Sequence, residues 1–128
     1  MINNLCLKAY KNACQKGWHD RPRSLLEELA LVHSEVSEAV EEARVSEFLV
    51  DSYIIDEDTG ARRYIAPEGW SRDKYGHLKP EGLPAELADT CIRIFDICGK
   101  MGIDLEHAIK IKMEYNETRP RRHGGKLY

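Results

Sequence analysis

The chain of 128 residues is long enough for one hydrophobic core, and its 42% hydrophobic and 32% charged residues fit an ordinary globular protein, not a disordered or fibrous one. A formal net charge of -3 argues against a general polyanion binder, so any phosphate chemistry has to come from local placement of charge. No apolar run approaches a membrane span, and residues 1–10 lack the continuous apolar stretch of a secretory leader, so a cytoplasmic address is expected.

The first predicted helix covers about residues 3–16, with Ile2, Leu5, Cys6, Ala9, Ala13 and Cys14 as its apolar stripe and Gly17 just past its end. The second opens on Ser24-Leu25-Leu26-Glu27, a capping box following Pro22. From there Leu25, Leu29, Val32, Val36, Ala39, Val40 and Ala43 repeat at helical spacing to about Arg44, and this row is the expected packing face.

Residues 45–82 break the helical pattern. Ser52-Tyr53-Ile54-Ile55 and Arg63-Tyr64-Ile65-Ala66 flank Asp56-Glu57-Asp58-Thr59-Gly60 and predict a β-hairpin. Asp56-x-Asp58-x-Gly60 resembles the start of a calcium loop, but the later ligands are missing, so it reads as a turn. A connection this long is usually functional or partly mobile. It is read here as an insertion outside the metal site, with Tyr53, Tyr64, Trp70 and Tyr75 available to stack on a base, bury an interface or simply cover the core.

The third predicted helix starts at Pro84 and carries Leu87, Cys91, Ile92, Ile94, Phe95, Cys98 and Met101 around much of its circumference, so deep burial is expected. The fourth starts at Asp104 as N-cap, with Leu105, Ala108, Ile109 and Met113 on its inner face, and stops before Pro120. Residues 119–128 form a basic tail, read as phosphate-reaching, as a nucleic-acid arm or as a solvated terminus. Cys6, Cys14, Cys91 and Cys98 form no CxxC pair and are expected to be buried thiols in helix cores. The fold expected is all-α: one domain, a bundle of about four helices with the 45–82 insertion between its acid-bearing members.

The acids follow a pattern. Glu28, Glu35, Glu38 and Glu42 fall in one strip along the second helix, with Glu35 and Glu38 as i,i+3 neighbours. Glu86 and Asp89 repeat the i,i+3 spacing on the third. Packing the two helices through their apolar faces would bring Glu35, Glu38, Glu86 and Asp89 together. Such a cluster repels itself and raises its own pKa values unless a divalent cation is bound. Carboxylate oxygens suit Mg²⁺, with Mn²⁺ as the alternative. Taken singly, each acid pair fits a solvated helix face equally well. A di-iron bundle would need Glu-x-x-His, which does not occur. Lys112, Asn116 and Arg119 share one face of the fourth helix, and their chemistry suits a polyphosphate, although a solvated helix end accounts for them as well. There is no phosphate-binding glycine loop and no nucleophile motif.

Ser34-Glu35-Val36-Ser37-Glu38-Ala39, Glu86-Leu87-Ala88-Asp89 and Lys112-Met113-Glu114-Tyr115-Asn116 resemble, in order and helical placement, the motifs of the MazG-like all-α nucleoside triphosphate pyrophosphohydrolases. The ending Lys-x-x-x-Asn-x-x-Arg-Pro-x-x-His-Gly-x-Lys is similar to that of small stand-alone members. The resemblance implies Mg²⁺ on Glu35, Glu38, Glu86 and Asp89, and phosphate contacts from Lys112, Asn116 and Arg119. It also implies cleavage between the α- and β-phosphates to a nucleoside monophosphate and pyrophosphate, as housekeeping of the nucleotide pool. Assembly as a homodimer or homotetramer is implied too. Arg93 stands where members resembling the dCTP pyrophosphatases carry an aromatic residue.

Glu38 is the candidate general base for water attack. A non-catalytic nucleotide-binding or regulatory module would keep the same carboxylates without turnover. A nucleic-acid-binding helical protein using the basic tail is the third reading, and the acidic overall balance counts against it.

Overall fold

Side-chain N-caps at Ser24, Ser71 and Asp104 set three of the helix starts. The computed structural model describes residues 1–127; Tyr128, the last residue of the basic tail, lies outside the described residues. They are mostly helical, as a mostly-α fold requires, with one two-stranded sheet. The order is α1 (Ile2–Gln15), α2 (Leu25–Val45), β1 (Ser52–Ile55), β2 (Arg62–Ile65), α3 (Arg72–Tyr75), α4 (Leu83–Met101), α5 (Leu105–Thr118) and α6 (Arg122–Gly125), with a 3₁₀ turn at Pro67–Gly69. Two compact units emerge: Met1–Asp20 with the chain from Phe95 onward, and Arg21–Ile94.

In the first unit, the starts of α1 and α5 are tied by polar side chains. Glu106 Oε1 accepts the Ile2 N–H at 2.7 Å, and the Asn3 side-chain amide donates to Asp104 Oδ1 at 2.8 Å. Asp104 Oδ1 also accepts the His107 N–H at 3.0 Å, the N-cap bond expected from sequence. Cys6 and Ala13 of α1 and Ile97 and Cys98 of α4 are buried. Gly99 permits this packing, because a Cβ there would collide with the Cys6 carbonyl and the Tyr10 Cβ. His19 closes the other side, its Nε2 lying 2.8 and 3.0 Å from the two Asp96 oxygens.

In the second unit, the capping box of α2 is complete, with Glu27 N–H to Ser24 Oγ and Ser24 N–H to Glu27 Oε2 both at 3.1 Å. β1 and β2 pair antiparallel with Ser52 opposite Ile65. In their turn Asp56 Oδ1 accepts the N–H groups of Asp58 and Thr59 at 2.9 and 3.0 Å, so this segment is an Asx turn. The connection has an apolar cluster of its own, Ile54, Ile65 and Tyr75, flanked by Trp70 and Leu78. Beyond it the chain returns to the hairpin edge. Tyr53 N–H donates to the Glu81 carbonyl at 2.9 Å and Glu81 N–H to the Tyr53 carbonyl at 2.8 Å. Gly82, at φ +103°, then turns into α4 with its missing Cβ facing the Tyr53 ring.

Four burial expectations are corrected. On α2 the covered residues are Glu28, Glu35 and Ala39, whereas Leu25, Leu29, Val36 and Val40 are exposed. Four members of the apolar row therefore lie outward while Ala39 of the same row is buried, and Glu28 and Glu35 of the acidic strip are covered where Glu38 is not. Leu87, Ile92 and Met101 of α4 are also exposed, and α5 buries no residue, with Ile109 and Met113 open. Of the four cysteines, Cys6 and Cys98 are buried and Cys14 and Cys91 are exposed. No helix among the described residues is long and apolar enough to cross a membrane.

Candidate metal centre

The second unit gathers the carboxylates. Glu35 arrives from the middle of α2, on the same helical face as Ala39, while Glu86 and Asp89 sit in the first two turns of α4. Glu35, Glu86 and Asp89 each offer an oxygen, and these oxygens lie within 4.8 Å of one another. Three of the four acids expected to converge, Glu35 from α2 and Glu86 and Asp89 from α4, are brought together. Glu38 is exposed and does not join this set; it meets Glu86 through a side-chain hydrogen bond.

The electrostatics follow from burial. Glu86 is only 7% exposed, and its Oε2 is buried with no hydrogen-bond partner. Burial, then the hydrogen bond and charge of Glu38, then Asp89 and Glu35, push its carboxyl up to about 7. A hydrogen bond between two carboxyl groups needs a proton on one of them, and Glu86 is the group that keeps it. Burial and the Glu35 charge also raise the Asp89 carboxyl above its ordinary value. Without a cation, the cluster therefore relieves its repulsion by holding protons.

Arg93 supplies the positive charge that sequence reading missed. It lies one turn beyond Asp89 on α4, and its Nε donates to Glu35 Oε1 at 2.5 Å. The signal was present as the i,i+4 step from Asp89, but only the folded chain shows that the guanidinium is spent on a carboxylate. Lys79 is the second nearby cation, with its ammonium 3.3 Å from Glu81. Glu86 and Glu38 add to the pull, so the Lys79 ammonium holds its proton above the usual lysine range.

A second set of oxygens adjoins the first. Glu42, Glu81 and Glu86 also offer ligand atoms within 4.8 Å of one another. Tyr53 hydroxyl donates to Glu42 Oε1 at 2.8 Å, and Ser46 hydroxyl donates to Glu42 Oε2 at 2.7 Å. Burial and the Glu42 carboxylate push the Tyr53 phenol up to about 12, so it remains a donor. The 45–82 segment is thus not separate from the acids: it contributes Glu81 and, through Tyr53 and Ser46, orients Glu42.

A divalent cation fits the first set by donor chemistry: hard oxygens, one of them orphaned and buried. Lys112, Asn116 and Arg119 belong to the first unit. Lys112 Nζ and the Arg119 guanidinium lie 5.1 and 5.6 Å from the Tyr115 ring centroid, and the Asn116 carbonyl accepts the Arg119 N–H at 3.2 Å. Lys112 and Asn116 are exposed.

Comparison of the chain with family models, with curated proteins and with solved structures found no match.

Proposed function

We propose that the chain is a Mg²⁺-dependent nucleoside triphosphate pyrophosphohydrolase of the MazG-like kind, acting on deoxynucleotides. The observation that carries this reading is Glu86. A carboxyl 7% exposed, with an orphaned oxygen and acids from two helices around it, is stable only with a proton or a cation. Acids that merely coat a solvated helix face are not buried in this way.

Glu35, Glu86 and Asp89 would hold Mg²⁺, or Mn²⁺ in its place. The bound ion supplies Lewis acidity toward phosphate oxygens. Arg93 fixes the orientation of Glu35 and offsets part of the acidic charge before substrate arrives. Glu38 has an exposed carboxylate beside Glu86 and takes the proton of the attacking water. The family resemblance assigns phosphate contacts to Lys112, Asn116 and Arg119, and the Tyr115 ring braces the Lys112 and Arg119 side chains. An apolar cavity of about 420 Å³, lined by Val50, Ile65, Trp70, Pro84 and Ala88, is the proposed seat of the base. Ala88 precedes Asp89 directly, and Trp70 supplies a face for stacking.

The test is pyrophosphate release from a panel of deoxynucleoside and nucleoside triphosphates with Mg²⁺. Turnover is expected for at least one, and Glu35→Gln, Glu38→Gln, Glu86→Gln and Asp89→Asn should each remove most of it while remaining folded. Nucleotide binding without turnover across the whole panel would replace the enzyme with a regulatory binding module. Wild-type rates in all four variants would end the metal-site assignment.

A further inference from the structure

We propose that Glu42, Glu81 and Glu86 form a second divalent-cation locus, sharing Glu86 with the locus of Glu35, Glu86 and Asp89. It deepens the metal-dependent reading above and uses two residues, Glu42 and Glu81, that the reading does not employ.

Three acids alone would make no site. The independent observation is the Glu86 Oε2 atom, buried without a partner on a side chain that supplies an oxygen to both sets. A carboxylate has two oxygens and about four lone-pair directions, so one group can serve two cations. Glu86 stands between the sets with capacity left over.

The other two ligands are held in place by contacts that leave their charge intact. Glu42 accepts from the Tyr53 and Ser46 hydroxyls at 2.8 and 2.7 Å, and neither donor brings positive charge. Glu81 is fixed through its backbone, by the pair of bonds to Tyr53 at 2.9 and 2.8 Å, while its carboxylate pairs with the Lys79 ammonium. A hairpin edge, a tyrosine and a helix turn thus aim three carboxylates at one volume. Orientation of ligands by hydroxyl groups behind them is how protein metal sites are generally built.

The locus already attracts a cation. Lys79 Nζ lies 3.3 Å from Glu81, and its side chain is 78% exposed. An ammonium on so open a stem is a replaceable counterion. One positive charge does not balance three carboxylates, whereas a divalent ion comes closer and leaves Lys79 free to turn to solvent or to a phosphate. Paired cations with a bridging carboxylate suit a triphosphate, which carries charge on both sides of the bond to be cut.

The test is a count. The full chain, stripped of metal and free of nucleotide, is titrated with Mn²⁺, and bound ions are counted by electron paramagnetic resonance. Two per chain are expected in the wild type, and one in Glu81→Gln and in Glu42→Gln. The two substitutions lie on different elements and are isosteric, so a folding defect in one leaves the other to decide. Lys79→Ala should bind the second ion more tightly, because the competing ammonium is gone. One ion in the wild type, with unchanged affinity in both variants, overturns the second locus and leaves the first intact. No bound ion in the wild type overturns both.

Discussion

At the scale of single residues, Glu86 governs how the metal-free protein responds to pH. Its carboxyl is raised from an ordinary value of 4.5 to about 7 by burial and by the acids around it. Between those two pH values the folded chain holds a proton that the unfolded chain has released. The stabilising contribution is therefore full below 4.5 and is lost as pH rises through about 7. In EDTA, Glu86→Gln should match the wild type near the acid end and become the more stable protein toward pH 8, by roughly 5 °C or more in Tm. A Tm difference that does not change with pH would show that Glu86 is not the titrating group. Lys112 and Asn116 call for a different measurement. If they contact phosphates, Lys112→Ala and Asn116→Ala should each weaken nucleotide binding by about 1.5–3 kcal/mol, with Mn²⁺ affinity in the absence of nucleotide unchanged. Unaltered nucleotide affinity in both would remove them from the site.

At the scale of elements, the signals that sequence carries best are those acting within one turn. The Ser24–Glu27 capping box, the Asp56 Asx turn and the Asp104 N-cap were all readable, because each rests on a side chain bonding the backbone two or three residues away. The i,i+3 acid pairs were readable for a similar reason: helical pitch alone aligns them. What could not be read is which face of α2 turns inward. Periodicity locates a row of Leu25, Leu29, Val36 and Val40, but the same periodicity would result whether the row met its own chain or another surface. Nor could Glu81 be placed, since a glutamate in a Pro- and Gly-rich stretch gains its position only through the backbone bonds to Tyr53. The contact between α1 and α4 is similarly silent in sequence, although it depends on Gly99. A methyl group there would meet the Cys6 carbonyl and the Tyr10 Cβ, and helix backbones cannot yield as side-chain ends do. Gly99→Ala should cost about 1–3 kcal/mol in chemical denaturation, despite the better helix propensity of alanine. An unchanged or raised stability would mean that the two helices are not packed so closely in solution.

At the scale of the whole molecule, the apolar residues left outside decide the argument. Among the described residues no large side chain is fully buried, while Leu25, Leu29, Val36 and Val40 of α2, Leu87 and Ile92 of α4 and Ile109 and Met113 of α5 are all exposed. Single exposed apolar residues are ordinary, but aligned rows along helices mark surfaces made for association. A second copy of the chain is the occupant proposed, because an isologous contact lets one row meet its own equivalent and needs no other partner. On that proposal the buried acids of α2 would serve the cation and its exposed apolar residues the neighbouring copy. Val36→Lys tests this directly. In a monomer, a charge at a half-exposed helix position should change stability by no more than about 0.5 kcal/mol. In a dimer or tetramer it would place unpaired ammonium groups in the contact, and sedimentation should show a shift toward the monomer mass together with a fall in Tm. Glu41→Lys, on the same helix at an exposed charged position, is the control and should preserve the assembly. A wild-type chain that sediments as a monomer at working concentration, with Val36→Lys equally stable, would leave the apolar rows without a partner of their own kind and overturn the assembly.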